Sequence, residues 1–174
     1  MDVAADYIED VIVQFERLKG YGDKAVAQVS DEELTRVLDP ESNSIAIIMR
    51  HVGGNLRSRF TDFLTTDGEK PSRHRDGEFE LPGATTRDAV VNDWNSGFEC
   101  VLATLEQLSP ADVSRDVRIR GERLSVIQAL NRSMTHTASH VGQIVWLAKH
   151  LRSSNWKTLS IPRGQSETFK PDAR

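Results

Sequence analysis

The sequence has only one cysteine, Cys100, among its 174 residues. A single thiol excludes an internal disulfide and a metal site built from several thiolates. Cys100 follows the apolar pattern of a predicted helix and has no histidine near it in that pattern, so we interpret it as a small core residue and not as a nucleophile. We therefore expect a protein of a reducing compartment, the cytoplasm.

Long apolar runs and an excess of positive charge are also missing. No segment approaches the roughly 18 consecutive apolar residues of a membrane-spanning helix, and the first residues lack the basic start and apolar stretch of a signal peptide. The 22 lysines and arginines are outnumbered by 26 aspartates and glutamates, for a formal net charge of −4. Because this balance gives no general attraction to nucleic acid or to anionic membranes, we expect neither as a partner.

What the sequence does have is helical periodicity. A chain of this length suits one domain with a core of its own. Gly20 and Gly22 are expected to end the first helix, and a short capped turn is expected at Ser30 and Glu33. Ser125 and Gln128 form the same kind of N-terminal pair before the last helix. Apolar residues recur every three to four positions in four segments, residues 3–19, 44–64, 85–105 and 125–151.

The connection between the second and third predicted helices is unusually long. Residues 65–83 are polar and contain several glycines and prolines, and such a crossover loop lets the third helix run parallel to the second. Residues 117–120 alternate only briefly, as a short extended stretch would. We therefore predict an all-α fold, a four-helix bundle formed by a single domain of residues 1–174. The tail, residues 153–174, is expected to pack on the body through Trp156, Leu159, Ile161 and Phe169.

Three of the five histidines lie in polar stripes beside the apolar faces of two predicted helices. His136 and His140 are four residues apart, which places them on one face of a helix. With His51 from the other helix they can form a three-nitrogen metal site that keeps open positions for water or substrate. The alternative is that such a pair arises by chance and that neutral histidines are satisfied by protein partners. Neighbouring residues of the stripes, expected to tune the site or bind substrate, are Asn55, Arg132 and Gln143.

The other two histidines are not expected to be ligands. His74 lies in the basic run of residues 73–75, which we interpret as solvated, and His150 lies at a helix end where a cation is favoured by the helix dipole. No aspartate or glutamate lies on the polar stripes within one helical turn of the three histidines. The long loop can nevertheless bring Glu69, Glu78 or Glu80 to the site as a general base.

Two further features have open interpretations. The arginine-rich segment, residues 115–123, is either a solvated, partly self-neutralised face or an anion site at the mouth of the bundle. Gly53 and Gly54 each cost roughly 1 kcal/mol relative to alanine inside a helix. Their place beside His51 indicates either the close approach of another helix or a ligand, or a local kink.

The chain resembles the DinB-like superfamily of bacterial four-helix metalloproteins, which includes the YfiT-type metal-dependent hydrolases. In that superfamily one histidine comes from the second helix and an HxxxH pair from the fourth, and His51, His136 and His140 match this order. A more specific likeness to a functionally uncharacterised branch covers nearly the whole chain. It rests on Ser42-Asn-Ser-Ile-Ala-Ile-Ile48, Gly54-Asn55, Asp62-Phe-Leu-Thr-Thr-Asp-Gly-Glu-Lys-Pro71, Ile119-Arg-Gly-Glu122, His140-Val-Gly-Gln-Ile144 and Leu159-Ser-Ile-Pro-Arg-Gly-Gln-Ser166.

The resemblance implies an up-down-down-up bundle, a divalent metal ion (nickel or zinc) on the three histidines, and frequently a homodimer. It does not imply one reaction, because relatives include hydrolases, thiol S-transferases and isomerases. Our leading hypothesis is a metal-dependent hydrolase acting on an unidentified small molecule. The alternatives are a metal-dependent thiol S-transferase, with Arg132 or residues 115–123 holding carboxylates of the thiol, and a non-enzymatic, stress-related binding protein with a vestigial metal site.

Overall fold

The computed structural model describes residues 2–83 and 85–168. Within these residues the chain is mostly helical, as predicted, with five α-helices and one two-stranded sheet. Short 3-10 turns occupy Asp76–Phe79, Pro110–Asp112 and Ser153–Asn155. The elements are α1 (Val3–Val26), α2 (Asp31–Thr35), α3 (Ile45–Phe60), α4 (Arg87–Glu106), β1 (Asp116–Ile119), β2 (Glu122–Ser125) and α5 (Val126–Arg152).

The four long helices share one apolar core. Helix α3 packs most extensively on α4, and α1 packs on α5, while α3 also contacts α5 and α1 also contacts α4. Each long helix contributes side chains that are fully buried, among them Phe15, Leu56, Trp94 and Leu130. Burying side chains of this size contributes about 1.5–3 kcal/mol each. The apolar stripes seen in the sequence therefore face this core, except at Val3 and Ile127, which are exposed.

The first helix is longer than predicted. Gly20 and Gly22 do not end it, and the helix continues to Val26. A Cβ at Gly22 would lie 2.5 Å from Cζ2 of Trp94, and the Trp94 indole N–H donates to Asp23 at 2.8 Å. Gly22 is thus a contact residue that admits the indole of α4, which a local pattern of helix-ending glycines does not reveal.

Helices α3 and α4 are shorter than predicted. Helix α3 ends at Phe60, where Asp62 turns the chain with a φ of 48°. Phe63 stays buried beyond the helix end, which explains why the apolar pattern continues. Helix α4 begins two residues after the predicted start at residue 85, because Thr86 caps it and the first helical residue is Arg87.

The predicted extended stretch is the first strand of a hairpin whose second strand the sequence analysis missed. Strand β1 pairs antiparallel with β2, and Val117 and Ile119 point into the core. Arg120 and Gly121 form the turn with φ values of 56° and 77°, the positive values that such hairpin turns require. The carboxylate of Asp67 accepts from both of their backbone N–H groups, at 2.8 and 2.7 Å. The hairpin turn is therefore fixed against the loop that follows α3.

The glycines beside His51 mark a close helix–helix approach. A Cβ at Gly53 would lie 2.2 Å from the carbonyl oxygen of Asp93, and a Cβ at Gly97 would lie 2.6 Å from Cα of Gly53. For Gly53 the close approach of another helix is therefore confirmed, whereas the Cβ position of Gly54 faces the side chain of Glu78. Because the backbones of α3 and α4 nearly touch here, the position of α3 relative to α4 is fixed. The position of His51, which lies on α3, is fixed with it.

The described part of the tail contacts the rest of the chain. Trp156 and Leu159 are half-buried against the core, and the side chain of Gln28 bonds both backbone groups of Lys157. Ile161 is 38% exposed, and Phe169 lies outside the described residues. Among the described helices, none combines the length and the hydropathy needed to cross a membrane.

Candidate metal centre

Three histidine side chains converge between α3 and α5. His51 is 4% exposed on α3, and His136 and His140 are half-buried on α5. The Nε2 atoms of His51 and His136 are 3.2 Å apart, and one ring nitrogen from each of the three histidines lies within 4.8 Å of the other two. The arrangement results from the four-residue spacing on α5 and from the packing of α3 against it.

One of the distances matches the spacing of two nitrogens on a metal ion. With metal–nitrogen bonds of about 2.0–2.1 Å and angles between about 90° and 109°, neighbouring ligand nitrogens lie about 2.9–3.4 Å apart. The separation of 3.2 Å between His51 and His136 falls in this interval. The Nδ1 atom of His136 is buried and finds no hydrogen-bond partner among residues 2–83 and 85–168. These three histidines can hold a metal ion.

Hydrogen bonds on the outer ring nitrogens orient two of the histidines. Nδ1 of His51 lies 2.9 Å from Oε2 of Glu78, and Nδ1 of His140 lies 2.9 Å from Oε1 of Gln143. An ionised carboxylate and an amide oxygen only accept, so each Nδ1 carries the hydrogen. In these neutral tautomers the lone pair of each ring lies on Nε2, the form that a metal requires, and the Nε2 of His51 faces the Nε2 of His136.

The Glu78 carboxylate is held from both sides. Arg73 donates to its two oxygens, each at 2.8 Å, and the Arg73 side chain is only 5% exposed. Burial raises the pKa of Glu78, but the hydrogen bonds from Arg73 and His51 outweigh that effect and hold the pKa below its usual range. The carboxylate is thus ionised at neutral pH and supports positive charge on the inner side of His51.

The long loop reaches His51 through the 3-10 turn Asp76–Phe79. Gly54 makes room for it, because a Cβ there would lie 2.3 Å from Oε1 of Glu78. The Phe79 ring covers the imidazole of His51 with centroids 4.7 Å apart, and the guanidinium of Arg75 lies 5.0 Å from the Phe79 centroid. Residues of the loop therefore close one side of the histidine cluster.

Two of the histidines are poised to be neutral. Burial lowers the pKa of His136 to about 4, with further lowering by the charges of His140, His51, Arg59 and Arg73. Burial also lowers the pKa of His140, although its bond to Gln143 works in the opposite direction. Neutral imidazole is the form that binds metal, so these two rings need not lose a proton to do so at neutral pH.

A cavity of about 190 Å³ adjoins the histidine cluster. Its walls include His51, His136, Asn55, Ser133 and Arg132. The site is therefore not a dry contact of packed side chains, since it borders a space that can hold water or a small ligand.

Comparison with known proteins places the chain in a family. A family profile described as "Protein of unknown function (DUF1572)" matches residues 2–165. The chain belongs to the DUF1572 family. This family is grouped in the DinB-like clan, which agrees with the sequence resemblance at that level. No curated protein matches the chain.

The three residues predicted to tune the site or bind substrate differ in how close they lie to the histidines of this DUF1572 chain. Gln143 contacts His140 directly, while Asn55 lines the adjoining cavity. Arg132 also lines the cavity and bonds Glu122 at 2.9 Å. His74 and His150 are exposed and lie outside the cluster.

The buried side of the long loop was not predicted from the sequence. The interpretation of residues 73–75 as a solvated run was wrong for Arg73, which is buried on Glu78. Glu78 was one of three candidate bases, but its carboxylate is engaged on the outer nitrogen of His51. The only local signal for this contact was Gly54, whose missing side chain admits Glu78.

Proposed function

We propose that His51, His136 and His140 bind one divalent metal ion, nickel or zinc, at the centre of a metal-dependent hydrolase. The observation that carries the proposal is the convergence of three histidine nitrogens within 4.8 Å beside a cavity. When bound, such an ion acts as a Lewis acid that lowers the pKa of a coordinated water or thiol toward neutrality. The fold we propose around it is the up-down-down-up four-helix bundle of DinB-like proteins, in a single cytoplasmic domain with a packed tail.

The residues around the ion have separate tasks in this proposal. Glu78 holds the tautomer of His51 and stabilises positive charge, and Gln143 does the same more weakly for His140. Asn55 lies in the cavity wall, where its amide can orient a substrate. The walls of that cavity contain no aspartate or glutamate among the described residues. A carboxylate base is therefore not part of the proposal, and the nucleophile is activated by the ion alone.

Thiol S-transfer is the second candidate, and one observation favours it. Several arginines line the cavity beside the histidines, including Arg120 and Arg132, and guanidinium groups bind the carboxylates that low-molecular-weight thiols carry. The third candidate, a binding protein with a vestigial metal site, is less favoured because the site adjoins open space.

The first test is metal content. Protein purified without a histidine tag should contain about one divalent ion per chain by elemental analysis. The His136→Ala/His140→Ala double variant should lose it, whereas the His74→Ala/His150→Ala double variant should keep it. Metal retained by the first variant would overturn the site. Since the four apolar helix faces form the core, the metal-free protein should remain folded by circular dichroism.

The second test is reaction class. A panel of small esters, amides and electrophiles is assayed with and without a bacterial low-molecular-weight thiol. Turnover without thiol supports hydrolysis, and turnover only with thiol supports transfer. If the metal-loaded protein and the His51→Ala variant behave alike on every substrate, the binding-protein alternative is the better description.

A homodimer is the assembly we propose. Exposed apolar side chains on α1 and α5, among them Val13, Ile127 and Trp146, support it because a second copy of the chain could cover them. Light scattering over a dilution series tests it, and a monomer at high micromolar concentration would contradict it.

A further inference from the structure

The cavity beside the histidines is lined by an unusual number of arginines. Helix α3, helix α5, the hairpin turn and the long loop all contribute to this wall. None of the residues that line it carries a negative charge. The arginines are Arg59, Arg73, Arg75, Arg120 and Arg132.

Two of these arginines already form buried ion pairs within the protein. Arg73 bonds both oxygens of Glu78, and Arg59 donates to Glu69 at 3.0 Å and to the carbonyl of Gly68. Their side chains are 5% and 11% exposed. Both line the cavity, whereas their carboxylate partners do not.

Arg120 and Arg132 keep free donors. Each is about half exposed, and each uses one nitrogen on a carboxylate, Glu69 at 2.8 Å and Glu122 at 2.9 Å. A guanidinium has five N–H donors, so most of the donors of both residues remain for a ligand. They lie on opposite elements, the hairpin turn and α5, and meet at this one cavity.

A buried hydroxyl in the same wall also lacks a partner. Ser133 is 5% exposed and lines the cavity, and its Oγ makes no hydrogen bond within the described ranges 2–83 and 85–168. Buried hydroxyls are nearly always hydrogen-bonded. An unpartnered hydroxyl beside several guanidinium groups indicates that the cavity is built for a ligand that accepts hydrogen bonds.

We propose that this cavity binds the oxyanion of a small substrate, a carboxylate or a phosphate, and that Arg120 and Arg132 are its principal ligands. The inference rests on the proposed metal-dependent function and specifies its substrate class. Arginine binds such groups through two parallel N–H···O bonds. A space of about 190 Å³ equals about six water molecules at 30 Å³ each, so it accommodates the anionic end of a small molecule and not a macromolecule.

The position of the cavity beside the histidines explains what binding of the anion would achieve. His51 and His136 line it together with the arginines. An oxyanion held by Arg120 and Arg132 would therefore present the remainder of the molecule to the inner nitrogens of the histidines. Anchoring a remote charged group in this way fixes the reacting end in position.

The test measures anion binding to the metal-free, full-length protein by isothermal titration calorimetry at low ionic strength. The probes are inorganic phosphate and malonate, in separate titrations. Removing the metal ensures that neither probe binds through the ion. We expect saturable 1:1 binding of at least one probe. Binding of phosphate alone identifies a phosphorylated substrate, and binding of malonate alone identifies a carboxylic acid.

Matched variants locate the site. Arg120→Gln and Arg132→Gln should each weaken binding by about tenfold or more, as the loss of a charge-assisted hydrogen bond does. Arg123→Gln is the control, because Arg123 lies on the same hairpin, pairs with Asp116 and does not line the cavity. It should change the affinity by less than about twofold.

Two outcomes overturn the inference. The first is that neither probe binds to the wild-type protein. The second is that Arg123→Gln weakens binding as much as the other two variants, which would indicate nonspecific attraction by surface charge. Metal content is measured separately on the same preparations. A protein that binds metal but no anion contradicts this inference and leaves the metal site intact, and the reverse result contradicts only the metal site.

Discussion

The two sides of the His51 ring are held by different kinds of structure. Its Nε2 faces His136, which a helix presents with regular spacing. Its Nδ1 faces Glu78, which a long irregular loop presents through one 3-10 turn. The helix side supplies the other candidate ligands, and the loop side supplies the charge that orients the ring. Only the helix side follows a rule that can be applied to a sequence.

The same contrast appears among the arginines. Within residues 115–123, Arg115 precedes the hairpin and pairs with Asp112, and Arg123 on β2 pairs with Asp116 across the hairpin. Arg120 occupies the turn and reaches the cavity. Both interpretations of this segment therefore describe part of it: Arg115 and Arg123 are neutralised by aspartates, and the anion site we propose uses only Arg120. The position of each arginine, and not the composition of the segment, separates those that pair with aspartates from the one that reaches the cavity.

The largest effect on the loop side should come from Glu78→Gln. This change keeps the size of the side chain but removes the charge that pairs with Arg73 and His51. Loss of such a partner typically lowers metal affinity by about 10- to 100-fold. Competition with a chromophoric chelator measures the affinity. Glu80→Gln is the control, because Glu80 is exposed in the same loop, and equal affinities for the two variants would show that the loop side only covers the site.

A smaller effect is expected from Gly54→Ala. The new Cβ would lie 2.3 Å from Oε1 of Glu78, so the carboxylate must withdraw from His51. We expect metal affinity to fall less than for Glu78→Gln, because a displaced glutamate keeps its charge nearby. Gly20→Ala is the matched control, since nothing lies within 4 Å of its Cβ position.

The Gly20→Ala control carries its own expectation. It should leave metal binding unchanged and raise the free energy of unfolding by up to about 1 kcal/mol, the difference in helix propensity. Thermal unfolding and chelator competition on both variants decide the matter. A Gly54→Ala protein that binds metal as tightly as the wild type would mean that Glu78 is free to shift without consequence.

These contacts show which features of the fold and of the candidate site could be predicted from the sequence. The helical content, the short capped turn at Ser30 and the start of α5 at Ser125 follow from local patterns and agree with the structure. The clustering of His51, His136 and His140 follows from helical period plus one inference about packing. The contacts of Gly22 with Trp94 and of Gly54 with Glu78 could not be predicted. A missing side chain does not reveal which distant group fills its place.

Acid should distinguish the half-buried His136 from the exposed His150. The pKa of His136 is lowered from 6.5 to about 4 in the folded chain, so between these pH values the unfolded chain binds more protons. Stability of the metal-free protein is therefore complete above about pH 6.5 and falls as the pH drops toward 4. Urea unfolding at several pH values measures the slope. His136→Gln should reduce it, and His150→Gln, at an exposed position, should not; equal slopes in all three proteins would contradict the burial of His136.

The smallest effect is expected from Gln143→Ala, the helix-side counterpart of Glu78→Gln. Gln143 bonds Nδ1 of His140 at 2.9 Å, but it is exposed and uncharged, so water can replace it as the acceptor. We expect metal affinity to fall by no more than about threefold, since a water-replaceable neutral hydrogen bond contributes little net free energy. Gln107→Ala, at an exposed position after α4, supplies the baseline. If Gln143→Ala lowered metal affinity as much as Glu78→Gln, both residues would act only by orienting their histidines. The negative charge of Glu78 would then add nothing to metal binding through His51.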